Sequence, residues 1–262
     1  QDISKAIVRI IAAGVLTGML VKTGAAARIA HSIIKALGER YIYLALALSA
    51  MLLTAMGVFI DVAVITIAPI AIIMGNKLRL PKFNLLLAMI GGGKCGNILS
   101  PNPNTIIAAE NFGAPLSSVM LVNVLPAIVG LFIVVYVILP LLPSSKNGAK
   151  VGDSSLSGVA KADLPSFWAS VSAPVVVIAL LMLRPVAGIA IDPLIALPVG
   201  GVVGILATRR WKSTAESVSY GLEKMSVVAV LLVSTGAIAG IIKASTLTDM
   251  LISVLGSGES AK

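Results

Sequence analysis

Apolar residues in this chain gather into long unbroken runs separated by short polar or basic stretches. A membrane-crossing helix needs about 20 predominantly apolar residues. The runs at 6–21, 84–110, 114–142, 167–190, 193–208 and 225–243 meet or approach that length. Residues 111–145 carry no charge at all. Transmembrane barrel strands alternate apolar and polar positions, and such runs do not. The pattern predicts an all-α, polytopic membrane protein.

One run does not fit a simple span. Residues 41–75 contain a single charge, Asp61. As one helix they would extend about 52 Å, far beyond a hydrocarbon core of roughly 30 Å. As two full spans with a turn they are too few. A re-entrant hairpin reconciles the length: 41–56 enters, 57–60 turns at Gly57, and 62–75 returns. Irregular backbone at membrane depth requires cover by protein or a water-filled cavity.

The stretch 84–110 is interrupted in a different way. Its centre reads GGGKCGNILSPNPNT, and three glycines with two prolines argue against a continuous helix. A broken helix is expected, with 91–104 non-helical and a new helix over 104–110 starting near Asn104 or Thr105. The N-terminus of such a half-helix attracts anions.

Basic residues mark the cytoplasmic side. Lys35 and Arg40 precede the hairpin; Lys77, Arg79 and Lys82 follow it. The polar stretch 144–166, rich in Ser, Gly and Lys, reads as a cytoplasmic linker. A second polar connection spans 209–224. Trp168 and Trp211 suit the membrane interface. The first helix then runs from outside to inside, which leaves Lys5 and Arg9 at its outer end, against the charge rule. The stretch 24–38 reads as amphipathic, with His31 at the headgroups. Glu110 reads as interfacial.

Composition supports this class. Charged residues make up 12% and hydrophobic residues 58%. A soluble domain carries about 25% charged residues. The net charge of +9 follows from loop lysines and arginines, and no basic stripe interleaved with aromatics points to nucleic acid. The lone Cys95 has no histidine or second cysteine beside it for a metal or a disulfide. No metal and no cofactor are expected. An intramembrane enzyme would need a nucleophile with its base, a paired acid and base, or a metal cluster, and no such set is visible. A non-transporting scaffold would need neither Asp61 nor a Pro/Asn break inside apolar segments.

Residues 14–33 and 236–255 align without gaps, with Gly14 opposite Gly236 and Gly18 opposite Gly240. A GxxxG pair alone reads equally as helix packing. The two copies run in opposite directions across the membrane, however, as inverted-repeat transporters do. The organisation expected is a first repeat over 1–143, the linker at 144–166, and further spans with the start of a second repeat over 167–262. The second copy is then cut short, and the chain, which begins at Gln1, reads as an internal piece of a longer protein.

The chemistry concentrates at two places. Ionisable residues inside apolar segments are costly and usually functional. Asp61 can accept and release a proton, or cap the returning helix. Lys94 can neutralise a substrate carboxylate, or pair with Asp61. The substrate-binding set expected is Lys94, Cys95, Asn97, Ser100, Asn102, Asn104 and Thr105, with Asp61 coupling a proton.

These residues carry a resemblance. GMLVKTGAAARIAHSIIKALGERYIYLALALSAMLLTAMGVFIDVAVITIAPIAIIM at 18–74 resembles the gluconate permease (GntP) family of the ion transporter superfamily. That family has an L-x-x-S/T-G-x-A-x-R-I-A segment and a hairpin with an acidic tip, here Asp61. GGGKCGNILSPNPNTI at 91–106 is similar to its proline-rich broken segment. Residues 192–255 look like the start of its second repeat. Where typical members have a histidine in a P-P-H-P-like sequence, this chain reads SPNPN. The resemblance implies a proton-coupled symporter of gluconate or another sugar acid or small carboxylate, multi-pass in a bacterial inner membrane and compatible with a homodimer. The alternatives are a sodium-coupled carboxylate carrier, with Asn97, Ser100, Asn102 and Asn104 as oxygen ligands, or a cation/proton antiporter. A sodium-for-choline swap separates them.

Overall fold

The computed structural model describes residues 3–142 and 164–245. The described residues form helices and no strand. In chain order these are α1 (Ile3–Lys22), α2 (Ala25–Leu37), α3 (Ile42–Ala55), α4 (Ile60–Leu78), α5 (Lys82–Asn97), α6 (Pro103–Asn111), α7 (Leu116–Leu141), α8 (Phe167–Ala187), α9 (Pro193–Thr208) and α10 (Thr214–Ala244). Four helices, among them α4, α7 and α8, are long and apolar enough to cross a membrane, and α1 with α2 form a fifth candidate bent by 62°. Most of the linker, and residues 246–255 of the second repeat copy, lie outside the described residues.

Small residues set the packing. Where helices touch at backbone distance the interface must lack side chains, as is common between membrane helices. A Cβ on Gly18 would lie 2.0 Å from the Ser217 carbonyl oxygen, and one on Gly221 would lie 2.1 Å from that of Gly14. This seats α1 against α10. Gly200 and Gly204 meet Val177 and Ala173 in the same way, joining α9 to α8. The Gly14/Gly18 pair is therefore a packing seat, whereas Gly240 faces open space.

The three glycines of 91–93 are a correction to the sequence reading. They remain helical, inside α5, and the backbone breaks only at 98–102. A Cβ on Gly92 would lie 2.0 Å from the Ala47 carbonyl oxygen, and one on Gly96 would lie 2.0 Å from that of Met51. Thr54 Oγ1 donates to the Gly93 carbonyl at 2.9 Å. Glycine weakens an isolated helix by about 1 kcal/mol. Here it allows α5 to lie directly on α3, and that close packing outweighs the local preference.

The break within 41–75 falls where expected, but its limbs are unequal. α3 ends at Ala55 with Met56 as its C-cap, Gly57 takes φ 98°, and α4 starts at Ile60. α3 has 14 residues, about 21 Å. α4 has 19 residues, about 28 Å, so it runs past the expected 62–75. Glu39 and Lys77 form an ion pair that ties the start of one limb to the end of the other. Thr17 Oγ1 donates to the Gly57 carbonyl at 2.7 Å, fixing the turn against α1 between Arg9 and Lys22. The connection at 209–224 is also mostly helical, because α10 starts at Thr214.

Candidate functional site

Two interruptions of the helical ladder meet at one level. Ile60, at the start of α4, is the neighbour a Cβ on Gly93 would touch, at 3.2 Å. The start of α4, the last turns of α5 and the start of α6 surround a cavity of about 540 Å3. Small-molecule pockets commonly hold about 300–1,000 Å3. Asp61, Lys94, Asn97, Asn102 and Asn104 supply its polar wall. Phe59, Ile60, Val64, Ile90, Pro103 and Val228 of α10 supply the apolar one.

The 98–102 break is held by its own side chains. Asn102 caps α6, its Oδ1 accepting from the N–H of Asn104 at 2.8 Å and of Thr105 at 3.3 Å. Thr105 Oγ1 accepts in return from the Asn102 N–H at 3.2 Å, completing a capping box with Pro103 in the first turn. The Asn102 amide donates to the Asn97 carbonyl at 2.5 Å, to Asn97 Oδ1 at 2.6 Å and to Ser100 Oγ at 2.6 Å. Thr105 Oγ1 also donates to the Ser100 carbonyl. These bonds satisfy the Asn97 and Ser100 carbonyls and the Asn102 N–H within the break.

The expected binding residues thus divide. Lys94 and Asn104 are exposed and line the cavity with Asp61, Asn97 and Asn102. Ser100 and Thr105 are buried in the break and serve its geometry. Cys95 points away from the cavity, its sulfur facing Gly130 of α7. Asp61 does not cap α4: Phe59 holds the N-cap position and no side chain bonds there. Asp61 and Lys94 share the cavity without forming an ion pair among the described residues. Both keep their hydrogen-bonding capacity for something else. Among the described residues no group of His, Cys, Asp and Glu is arranged to hold a metal.

The field in the cavity suits an anion beside a titratable acid. An uncapped α4 N-terminus concentrates unbonded N–H groups and positive partial charge. Lys94 adds a full positive charge on a flexible stem. The apolar lining was hidden in the sequence because 91–97 was read as non-helical. Once α5 is helical, Ile90, Lys94 and Asn97 fall on one face at i, i+4 and i+7.

The comparisons with known proteins agree with this architecture. The profile of the GntP family permease matches residues 5–259, and the chain belongs to that family. It is a family of permeases, not enzymes. With several apolar helices of spanning length, the protein is a multi-pass membrane protein. An uncharacterized transporter of Haemophilus influenzae is 48% identical over 252 residues, covering 96% of this chain and 59% of its own length. The high-affinity gluconate transporter of Escherichia coli is 24% identical over 163 residues, covering 62% of this chain and 36% of its own length. The chain therefore spans less than two thirds of either relative. No solved structure matches it.

Proposed function

We propose that this chain supplies part of the pathway of a secondary transporter, a proton-coupled symporter of a small organic anion such as gluconate or another sugar acid, in a bacterial inner membrane. The observation that carries the reading is the shared cavity, where Lys94 and Asp61 stand unpaired beside the 98–102 break and the start of α4. Lys94 and the α4 N-terminus attract a carboxylate. Asn97 and Asn104 offer donors and acceptors to hydroxyl groups. Asp61 carries the proton. The similarity to a gluconate transporter supports the choice of ligand class.

In this reading 41–75 is a re-entrant hairpin of the first repeat, 1–143; 144–166 is the cytoplasmic linker and 167–262 carries the start of the second repeat. The contact of Gly57 with α1 between its charged ends supports a turn at mid-depth. Sodium coupling is less well supported, because the Asn97 and Ser100 side-chain oxygens accept from the Asn102 amide and Asn102 Oδ1 accepts from the N–H groups of Asn104 and Thr105.

The test is competition. In the full-length protein, Lys94→Gln should raise the concentration of gluconate or a related carboxylate needed for half-maximal uptake about tenfold or more, consistent with loss of a charge-assisted bond. Neutral polyols should not compete in either form. Unchanged half-saturation in Lys94→Gln removes Lys94 from the site.

A further inference from the structure

α6 has nine residues and borders two cavities. Its first turn lines the cavity just described. Further along, Ile106, Ala109 and Glu110 line a second cavity of about 310 Å3, closed by the start of α7 and by residues of α8 and α9. Each end of α6 is a joint in the backbone: the 98–102 break, held by its own side chains, precedes it, and Gly113, with φ 62° and open space around it, follows it. A short rigid helix between two joints, with a cavity on either side, is a partition.

One charge cluster fastens the far end of that partition. Arg9 of α1 donates Nε to Asp192 Oδ1 at 3.0 Å and Nη2 to Asp192 Oδ2 at 2.6 Å. Its Nη1 donates to Glu110 Oε1 at 2.5 Å. Asp192 also accepts from the Leu194 N–H at 2.9 Å, which caps α9. α1 and α9 pack directly on one another, so the bidentate Arg9–Asp192 pair lies within one packed unit. α6 also packs on α1, and Glu110 is the side chain that joins it to this charge cluster.

The asymmetry matters. Breaking a half-buried ion pair is costly when it strands a charge. If Glu110 moves away, Arg9 keeps both bonds to Asp192 and is not stranded. The Arg9–Glu110 contact therefore adds to the packing that holds α6 and can open without stranding Arg9. A pair meant only to staple the fold would gain nothing from a second acid that takes over the arginine.

We infer that the Arg9–Glu110 contact is a latch. Closed, it holds α6 between the two cavities and shuts the substrate cavity from the Arg9 end of the bundle. Released, it lets α6 swing and joins the cavities into a route for a small organic anion. The inference rests on the transport reading, and its first test reads the latch by labelling rather than by uptake.

In the full-length protein with Cys95→Ser, Asn104→Cys places a reporter thiol in the substrate cavity. Its rate of labelling by a membrane-impermeant maleimide is measured from the Arg9 side. Glu110→Gln should raise that rate about tenfold, the size of a typical coupling between two states. The charge-swapped pair Arg9→Glu with Glu110→Arg should return it to the starting rate. An unchanged rate in a Glu110→Gln protein that elutes as the parent does overturns the latch. Should Glu110→Gln fail to fold, Arg9→Cys with Glu110→Cys decides. Oxidation should arrest uptake and dithiothreitol should restore it; equal uptake in both states overturns the latch. If the parent takes up no organic anion at all, the transport reading fails, while the labelling rates still decide the latch.

Discussion

A Cβ on Gly92 or on Gly96 would lie 2.0 Å from a carbonyl oxygen of α3. The obstacle is backbone, which cannot rotate aside, so α3 and α5 would have to separate. Overpacking of this kind costs about 1–3 kcal/mol. Gly92→Ala and Gly96→Ala should each lower the melting temperature of the purified protein and distort the cavity wall formed by Lys94 and Asn97. Gly113→Ala meets no atom within 4 Å; it bears only the left-handed strain of about 1 kcal/mol and should melt closer to the parent. The residues picked out in the sequence are partly neighbours in the fold: Asp61, Lys94, Asn97, Asn102 and Asn104 all line one cavity. What each does was less legible. Asn102 reads equally as ligand or cap until its partners are known, and Cys95 sits in the right sequence but on the wrong helical face.

At the level of elements, α6 starts at one residue. Asn102 is 3% exposed and bonds both into the break and into the first turn of α6. Asn102→Ala removes an N-cap, worth about 1 kcal/mol, and strips the Asn97 and Ser100 oxygens of their donor. It should destabilise the protein and weaken substrate binding together, whereas Asn104→Ala, on an exposed side chain, should weaken binding alone. Thermal melting alongside a binding titration separates the two. The opposite end responds to acid. The Arg9 guanidinium, hydrogen-bonded to Asp192, holds that carboxyl below its ordinary range despite partial burial. A depressed carboxylate contributes stability above its unfolded pKa of about 4 and loses it as pH falls through the folded value. Arg9→Gln should therefore lower stability at neutral pH, and the gap between it and the parent should narrow below about pH 4. Sequence located both helix breaks, since turn length and proline spacing are local signals. It misplaced the glycine run, because whether glycine ends a helix or admits a neighbour depends on α3, some 45 positions earlier. It also left Arg9 as an anomaly of charge placement. The anomaly dissolves once Glu110 and Asp192, 101 and 183 residues away, are seen to receive it.

Across the whole molecule, the ion pairs sort by level. Arg9, Glu110 and Asp192 gather at one end of α1, and Lys22 meets Glu216 at 2.6 Å at the other. Between them lie the Gly57 turn and the 98–102 break, where the cavity opens. This arrangement brings two irregular segments to one cavity, which Asp61 and Lys94 line without pairing among the described residues. In the proposed mechanism Asp61 exchanges a proton while Lys94 holds the anion. Among the described residues, Asp61 is the carboxylate that lines the cavity. Asparagine matches it in shape but carries no proton. The direct measurement is uptake of a labelled sugar acid into proteoliposomes holding the full-length protein, with and without an imposed pH gradient, for the parent and Asp61→Asn. Asp61→Asn should lose gradient-driven accumulation but retain exchange of labelled for unlabelled substrate. Accumulation by Asp61→Asn equal to the parent's, with sodium replaced by choline on both sides, contradicts it.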